Sequence, residues 1–162
     1  MAHLQNITPF LWFQKNAEEA MNFYVNIFPN SRILHIERYP EDESIDEHFV
    51  GMHGKVLTGT FELDGERFMC LDGGRPSEHL FDFNNAVSFL VECRDQAEID
   101  FYWERLSSRP EEEQCGWCTD RFGLRWQIVP RNMEALMKKP AAIRAMMRMK
   151  KIDIKELEQK AQ

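Results

Sequence analysis

Apolar residues recur along the chain in two alternating rhythms. Phe10-Leu11-Trp12-Phe13 forms a short apolar run, and a polar break follows it. From Ala17 to Phe28 the apolar positions Ala17, Ala20, Met21, Tyr24 and Phe28 then fall three and four residues apart, which is the spacing of one helix face. Asn16 stands where a helix N-cap belongs, with Glu18 and Glu19 in the first turn. Strands are predicted near Ile7 to Phe13, Arg32 to Tyr39, Lys55 to Leu63 and Arg67 to Asp72, with a turn at Asp64-Gly65 and an acidic loop over Pro40 to Glu47. That is one β-α-β-β-β unit.

The rhythm then repeats. FYVNIF at Phe23 to Phe28 is echoed by FYWERL at Phe101 to Leu106, and the same offset of seventy-eight positions lays Phe10 on Ser88. At an offset of fifty-eight, Gly65-Glu66-Arg67-Phe68-Met69-Cys70-Leu71 matches Gly123-Leu124-Arg125-Trp126-Gln127-Ile128-Val129. A second unit is therefore predicted, with a strand over Ala86 to Cys93, a helix over Gln96 to Ser107, a short strand near Glu113, and a hairpin of Gly116 to Asp120 with Leu124 to Val129. Each unit alone is too small for an adequate core, whereas 162 residues suit one domain. The reading is thus an α+β fold: residues 1–131 form one domain of two modules, about 5–73 and 84–131, and residues 132–162 form a helical C-terminal extension. The extension is broken at Pro140, and its Ile143, Met146, Met147 and Met149 form an apolar stripe.

Twenty-seven acidic against twenty basic residues give a net charge of −7, which argues against a general phosphate-binding face and so against nucleic acid as a partner. No apolar run approaches membrane-spanning length, and the first residues lack the basic start and cleavage site of a signal peptide, so cytoplasmic residence is the expectation. Four cysteines do not suggest a disulfide scaffold.

Paired β-α-β-β-β units with aromatic first strands resemble the vicinal oxygen chelate superfamily of glyoxalases, bleomycin-resistance proteins and extradiol dioxygenases. The nearer resemblance is to its PhnB-like, 3-demethylubiquinone-9 3-methyltransferase-like branch. It rests on Thr8 to Phe13, Asn16 to Ala20, Phe23-Tyr24, Asn84 to Phe89, Tyr102-Trp103, Cys115 to Trp117, Asp120 to Gly123, Trp126 to Pro130 and Lys151 to Ile154. The link at Arg75 to Asp82 is longer than that branch's usual turn.

The resemblance implies half-barrels enclosing a ligand or metal, with metal ligands drawn from the first and last strands. The repeat puts those positions at Pro9 or Phe10, Met69, Ser88 and Gln127. Phenylalanine, a thioether and a hydroxyl are poor ligands for Zn, Ni, Mn or Fe(II), so no metal site and no cofactor are expected, and only Gln127 offers an ordinary donor. A metal-dependent lyase, isomerase or dioxygenase remains the alternative. The expected ligand-binding lining is Trp12, Phe68, Met69, Asp72, Ser88, Trp117, Trp126 and Gln127, which suits a planar or hydrophobic small molecule. A homodimer is expected, because half-barrels of this superfamily are usually buttressed across a two-fold axis and the tail has apolar residues to bury.

Three further motifs carry less. Cys115-Gly116-Trp117-Cys118 has dithiol spacing but falls in a predicted hairpin, away from any helix N-terminus that would activate a thiol. His48 and His53 flank Gly51 on a loop and could reach a cleft mouth as general bases. A methyltransferase using S-adenosylmethionine usually has a Gly-rich turn leading from a strand into a helix, and Gly73-Gly74 lead instead to Pro76 and a loop.

Overall fold

A computed structural model describes residues 6–74 and 81–162. The chain divides into two compact units, Met1–Asp82 and Phe83–Gln162.

In the first unit β1 (Phe10–Phe13) leads into α1 (Ala17–Ile27), followed by β2 (Arg32–Arg38), β3 (Val56–Leu63) and β4 (Glu66–Asp72). The sheet order is β1-β4-β3-β2, with β1 parallel to β4 and the other pairs antiparallel. Leu11 and Phe13 are buried while Phe10 is half exposed, as alternation requires. Helix α1 buries Ala17, Ala20, Met21 and Tyr24 of the stripe read from the sequence, together with Ile27, and Phe28 just past its end is buried as well. It lies tight against β3: a Cβ on Gly59 would stand 2.8 Å from both Cys70 Sγ and Met21 Sδ, so only glycine fits there. Asp64 and Gly65 both have positive φ, 48° and 85°, which gives the β3–β4 hairpin the left-handed turn that matches strand twist. Within the acidic loop, residues 43–45 and 47–49 form 3₁₀ turns.

One expectation is corrected here. Asn16 occupies the N-cap position of α1 but makes no side-chain capping bond. The cap comes instead from Asp72 at the end of β4, whose carboxylate accepts from Ala17 N–H and Val56 N–H, each at 2.9 Å. A single buried side chain thus fastens the start of the helix and the start of β3 to the last strand.

The second unit contains β5 (Ser88–Cys93), α2 (Gln96–Leu106), β6 (Trp117–Thr119) and β7 (Arg125–Pro130), in sheet order β5-β7-β6. The strand expected near Glu113 is absent, so this unit is β-α-β-β. Pro110 opens a 3₁₀ turn over residues 110–112, and the Glu113 carboxylate is engaged by Ser107 Oγ at 2.6 Å and Lys150 Nζ at 3.4 Å. Helix α2 is capped by Asp95, which accepts from Glu98 N–H.

The tail forms α3 (Met133–Leu136), α4 (Pro140–Met146) and α5 (Ile154–Ala161), with Pro140 in the first turn of α4, where its missing N–H costs nothing. It is integral to the second unit. Leu136, Ala142, Ala145, Ile152 and Leu157 are buried, and the Gln96 amide clamps the segment before α5 by donating to Ile152 O and accepting from Ile154 N–H, both at 3.0 Å. The link expected to be long lies largely at residues 75–80, outside the described residues.

Candidate functional site

The hydrogen-bond register locates equivalent positions in the two units more firmly than sequence offsets do. Phe10 lies opposite Met69 in the first unit, and Leu90 lies opposite Gln127 in the second. Past the strand ends the same match recurs: Phe13 O accepts from Gly73 N–H at 2.7 Å, and Cys93 O from Arg131 N–H at 3.0 Å. Phe10 therefore corresponds to Leu90, two residues beyond Ser88 on the same face. The strand positions at which the resemblance implies metal ligands become Phe10, Met69, Leu90 and Gln127, a set with a single ordinary donor. These residues do not fit a divalent ion, and among the described residues no group of three or more His, Cys, Asp or Glu could hold one.

On the sheet face away from α2, the second unit has a cavity of about 360 Å³. Trp117 and Gln127 line it together with Leu90, Glu92 and Val129 of the strands, Cys115 and Arg131 beside them, and Met133, Glu134 and Met146 of the tail. Strand alternation explains the first group. Gln127 and Val129 share one face of β7, Leu90 and Glu92 share the matching face of parallel β5, and Trp117 pairs with Gln127 across the β6–β7 ladder. Gln127 Nε2 donates to Ser88 Oγ at 2.9 Å, so Ser88 braces the amide without lining the cavity. The Arg125 guanidinium lies 5.5 Å from the centre of the Trp117 ring and is held by Thr119 Oγ1 and Glu112 O, at 2.7 and 3.0 Å.

The remaining expected lining residues sit elsewhere. Trp126 is next to Gln127 and so points to the opposite face; it is 3% exposed, lies beside Phe89, and donates its indole N–H to Asp120 at 2.8 Å. Asp120 in turn accepts from Phe122 N–H and Leu124 N–H, which makes it a turn-building carboxylate. Phe68 and Asp72 occupy the α1-facing side of the first sheet, Phe68 stacked on Phe61 and Asp72 committed to backbone capping. Trp12 and Met69 occupy the other face of that sheet. The Trp12 ring stacks on Phe81 at 4.4 Å and covers Gly73, where a Cβ would be 2.0 Å from the indole.

Of the loop histidines, His48 is bound to Asp46 through Nδ1 on an exposed turn, and His53 borders a polar cavity of about 480 Å³ at the start of α1, with Lys15, Lys55 and Glu18. His3 and His79 lie outside the described residues. The thiols of Cys70, Cys93 and Cys118 are buried, and burial pushes each up to about 12, the reverse of an activated dithiol.

The family model for 3-demethylubiquinone-9 3-methyltransferase matches residues 5–129. Among solved structures, the chain is similar to a putative 3-demethylubiquinone-9 3-methyltransferase, PhnB protein, from Bacillus cereus, at 37% identity over 77% of this chain and 99% of that one, with a TM-score of 0.63. It is similar in fold to protein PA1353 from Pseudomonas aeruginosa (18% identity, 79% and 98% covered, TM-score 0.58). It is also similar in fold to the fosfomycin resistance protein FosX from Listeria monocytogenes (19%, 86% and 98%, TM-score 0.51). No curated protein matches the chain. A family model covering most of the chain and the 37% identical PhnB structure agree, and the two small α+β units with parallel first and last strands have the fold of the vicinal oxygen chelate proteins that the sequence resembles: the chain belongs to the 3-demethylubiquinone-9 3-methyltransferase family and is PhnB-like.

Proposed function

We propose that the protein binds a planar, largely apolar small molecule in the cavity of its second unit, without a divalent metal. The observation that carries this reading is the pairing of Trp117 and Gln127 on one cavity wall, a large flat apolar surface beside one oriented polar group. Methionines 133 and 146 supply an adaptable opposite wall. Methyl transfer, the reaction in the family's name, is not proposed: the sequence has no Gly-rich turn entering a helix, and the space beside Gly73 is filled by the Trp12 ring.

Fluorescence titration with N-phenyl-1-naphthylamine tests this. Saturable binding should weaken at least ten-fold in Trp117→Ala while the melting temperature stays near that of the parent. Equal binding by the variant would refute the site.

A homodimer accompanies this proposal. Ile152 is buried within its own unit, but Ile143 remains 39% exposed on the tail. Light scattering on the full chain and on Ile143→Glu tests it; a full-length monomer rules the dimer out.

A further inference from the structure

Cys115 Sγ lies 3.8 Å from Met147 Sδ, and Met133 and Met146 line the cavity onto which Cys115 opens. Two sulfurs are thus in contact, and two further methionines line the cavity that Cys115 borders. Backbone bonds hold them there: Cys115 N–H donates to Met149 O and Gly116 N–H to Lys150 O, both at 2.8 Å, so the methionine-bearing end of α4 is tied to the Cys115 turn.

Packing alone is a poor account of this arrangement. Methionine normally fills gaps in a core, yet Met147 is 54% exposed and Cys115 is only partly covered. Both sulfurs can be reached from water without opening the unit. Their separation suits two donors sharing one ion, since metal–sulfur bonds are about 2.3 Å long. Thiolate and thioether are soft donors that select Cu(I) over the borderline divalent metals, and Glu92 and Glu134 among the cavity's lining residues outweigh the charge of Arg131 there.

We propose that Cys115 and Met147, completed by Met146 or Met133, form a binding site for a soft monovalent metal ion, Cu(I) or its redox-silent counterpart Ag(I). Binding replaces the Cys115 thiol proton with the ion and releases that proton to solvent, so affinity rises with pH. The proposal is independent of the organic-ligand reading, because the Ag(I) calorimetry contains no aromatic ligand and can fail while the aromatic probe still binds.

The test is anaerobic titration of the full chain with Cu(I) against a coloured Cu(I) chelator, repeated with Ag(I) by calorimetry. One equivalent should bind, Cys115→Ser should abolish that equivalent, and Met147→Leu, at an exposed position where folding is preserved, should weaken it at least ten-fold with the melting temperature unchanged. The proposal is overturned if the parent binds no stoichiometric ion, or if Cys115→Ser binds as the parent does. It is equally overturned if Leu at each of 133, 146 and 147 leaves affinity intact, or if uptake occurs only with loss of native circular dichroism, which would mean that the buried thiols are being drawn out.

Discussion

The side-chain amide of Gln127 donates to the hydroxyl of Ser88 across 2.9 Å, joining the last strand of the second unit to its first. The bond fixes which end of the amide is spent, leaving the carbonyl oxygen as the acceptor available to a bound molecule. Gln127→Leu should therefore weaken 1-naphthol, which has a hydroxyl to donate, more than naphthalene, which has none. A hydrogen bond of about 1 kcal/mol predicts roughly a five-fold selective loss. Equal losses for both probes would show that Gln127 contributes shape alone.

Asp72 has a structural task. It is 1% exposed, and its two oxygens accept one backbone N–H each, from Ala17 and Val56. Asp72→Ala leaves both donors buried without partners and should cost about 2–4 kcal/mol, with Asp72→Asn, which keeps one acceptor, losing about half as much. Urea unfolding followed by circular dichroism measures this, and an unshifted midpoint in Asp72→Ala would contradict the capping role.

Thiol chemistry separates the four cysteines. Cys70, Cys93 and Cys118 are fully buried, with their thiols pushed up to about 12, whereas Cys115 is partly exposed and is raised only by local burial. A disulfide-exchange reagent at neutral pH should modify one thiol in the native chain and four in denaturant. Its rate should still be climbing above the ordinary thiol range, because the thiolate is the reactive form. Two rapidly reacting native thiols would contradict this ordering.

Much of this arrangement is legible in the sequence, and the misreadings have identifiable causes. Helix burial follows the FYVNIF–FYWERL echo: Met21 with Ile99 and Tyr24 with Tyr102 are buried at the offset that the sequence suggests. The first strands follow an offset of eighty and not seventy-eight; the linkers, three residues from β1 to α1 and two from β5 to α2, account for one residue of that difference, and only the ladder register reveals that Phe10 answers to Leu90. Trp126 and Gln127 cannot both face one cavity, nor can Phe68 and Met69, since neighbours on a strand face opposite ways. Strand alternation from Gln127 could also have found Val129. No comparable pattern places Met133, Glu134 and Met146 over the sheet, because the tail's position depends on long-range contacts such as the Gln96 clamp on Ile152 and Ile154.

The last prediction concerns acid. The Glu112 carboxyl is held below the usual glutamate range first by the Thr119 hydroxyl and then by Arg109 and Arg125, and its side chain is 31% exposed. Glu98 is lowered in the same way by Arg94, and Asp100 by Lys151 and then Gln96. A carboxyl whose folded value lies below its unfolded value stabilises the fold above the unfolded value, about 4.3 for glutamate, and loses that contribution as pH falls through the folded value. The urea midpoint should therefore stay nearly level from pH 7 to about pH 5 and drop below about pH 4.5. Glu112→Gln should cost about 1–2 kcal/mol at pH 7, because the nearly buried Arg125 guanidinium loses its acidic neighbour, and much less at pH 3, where the parent carboxyl is also becoming neutral. A variant equally destabilised at both pH values would show that Glu112 acts through its hydrogen-bond geometry and not through its charge.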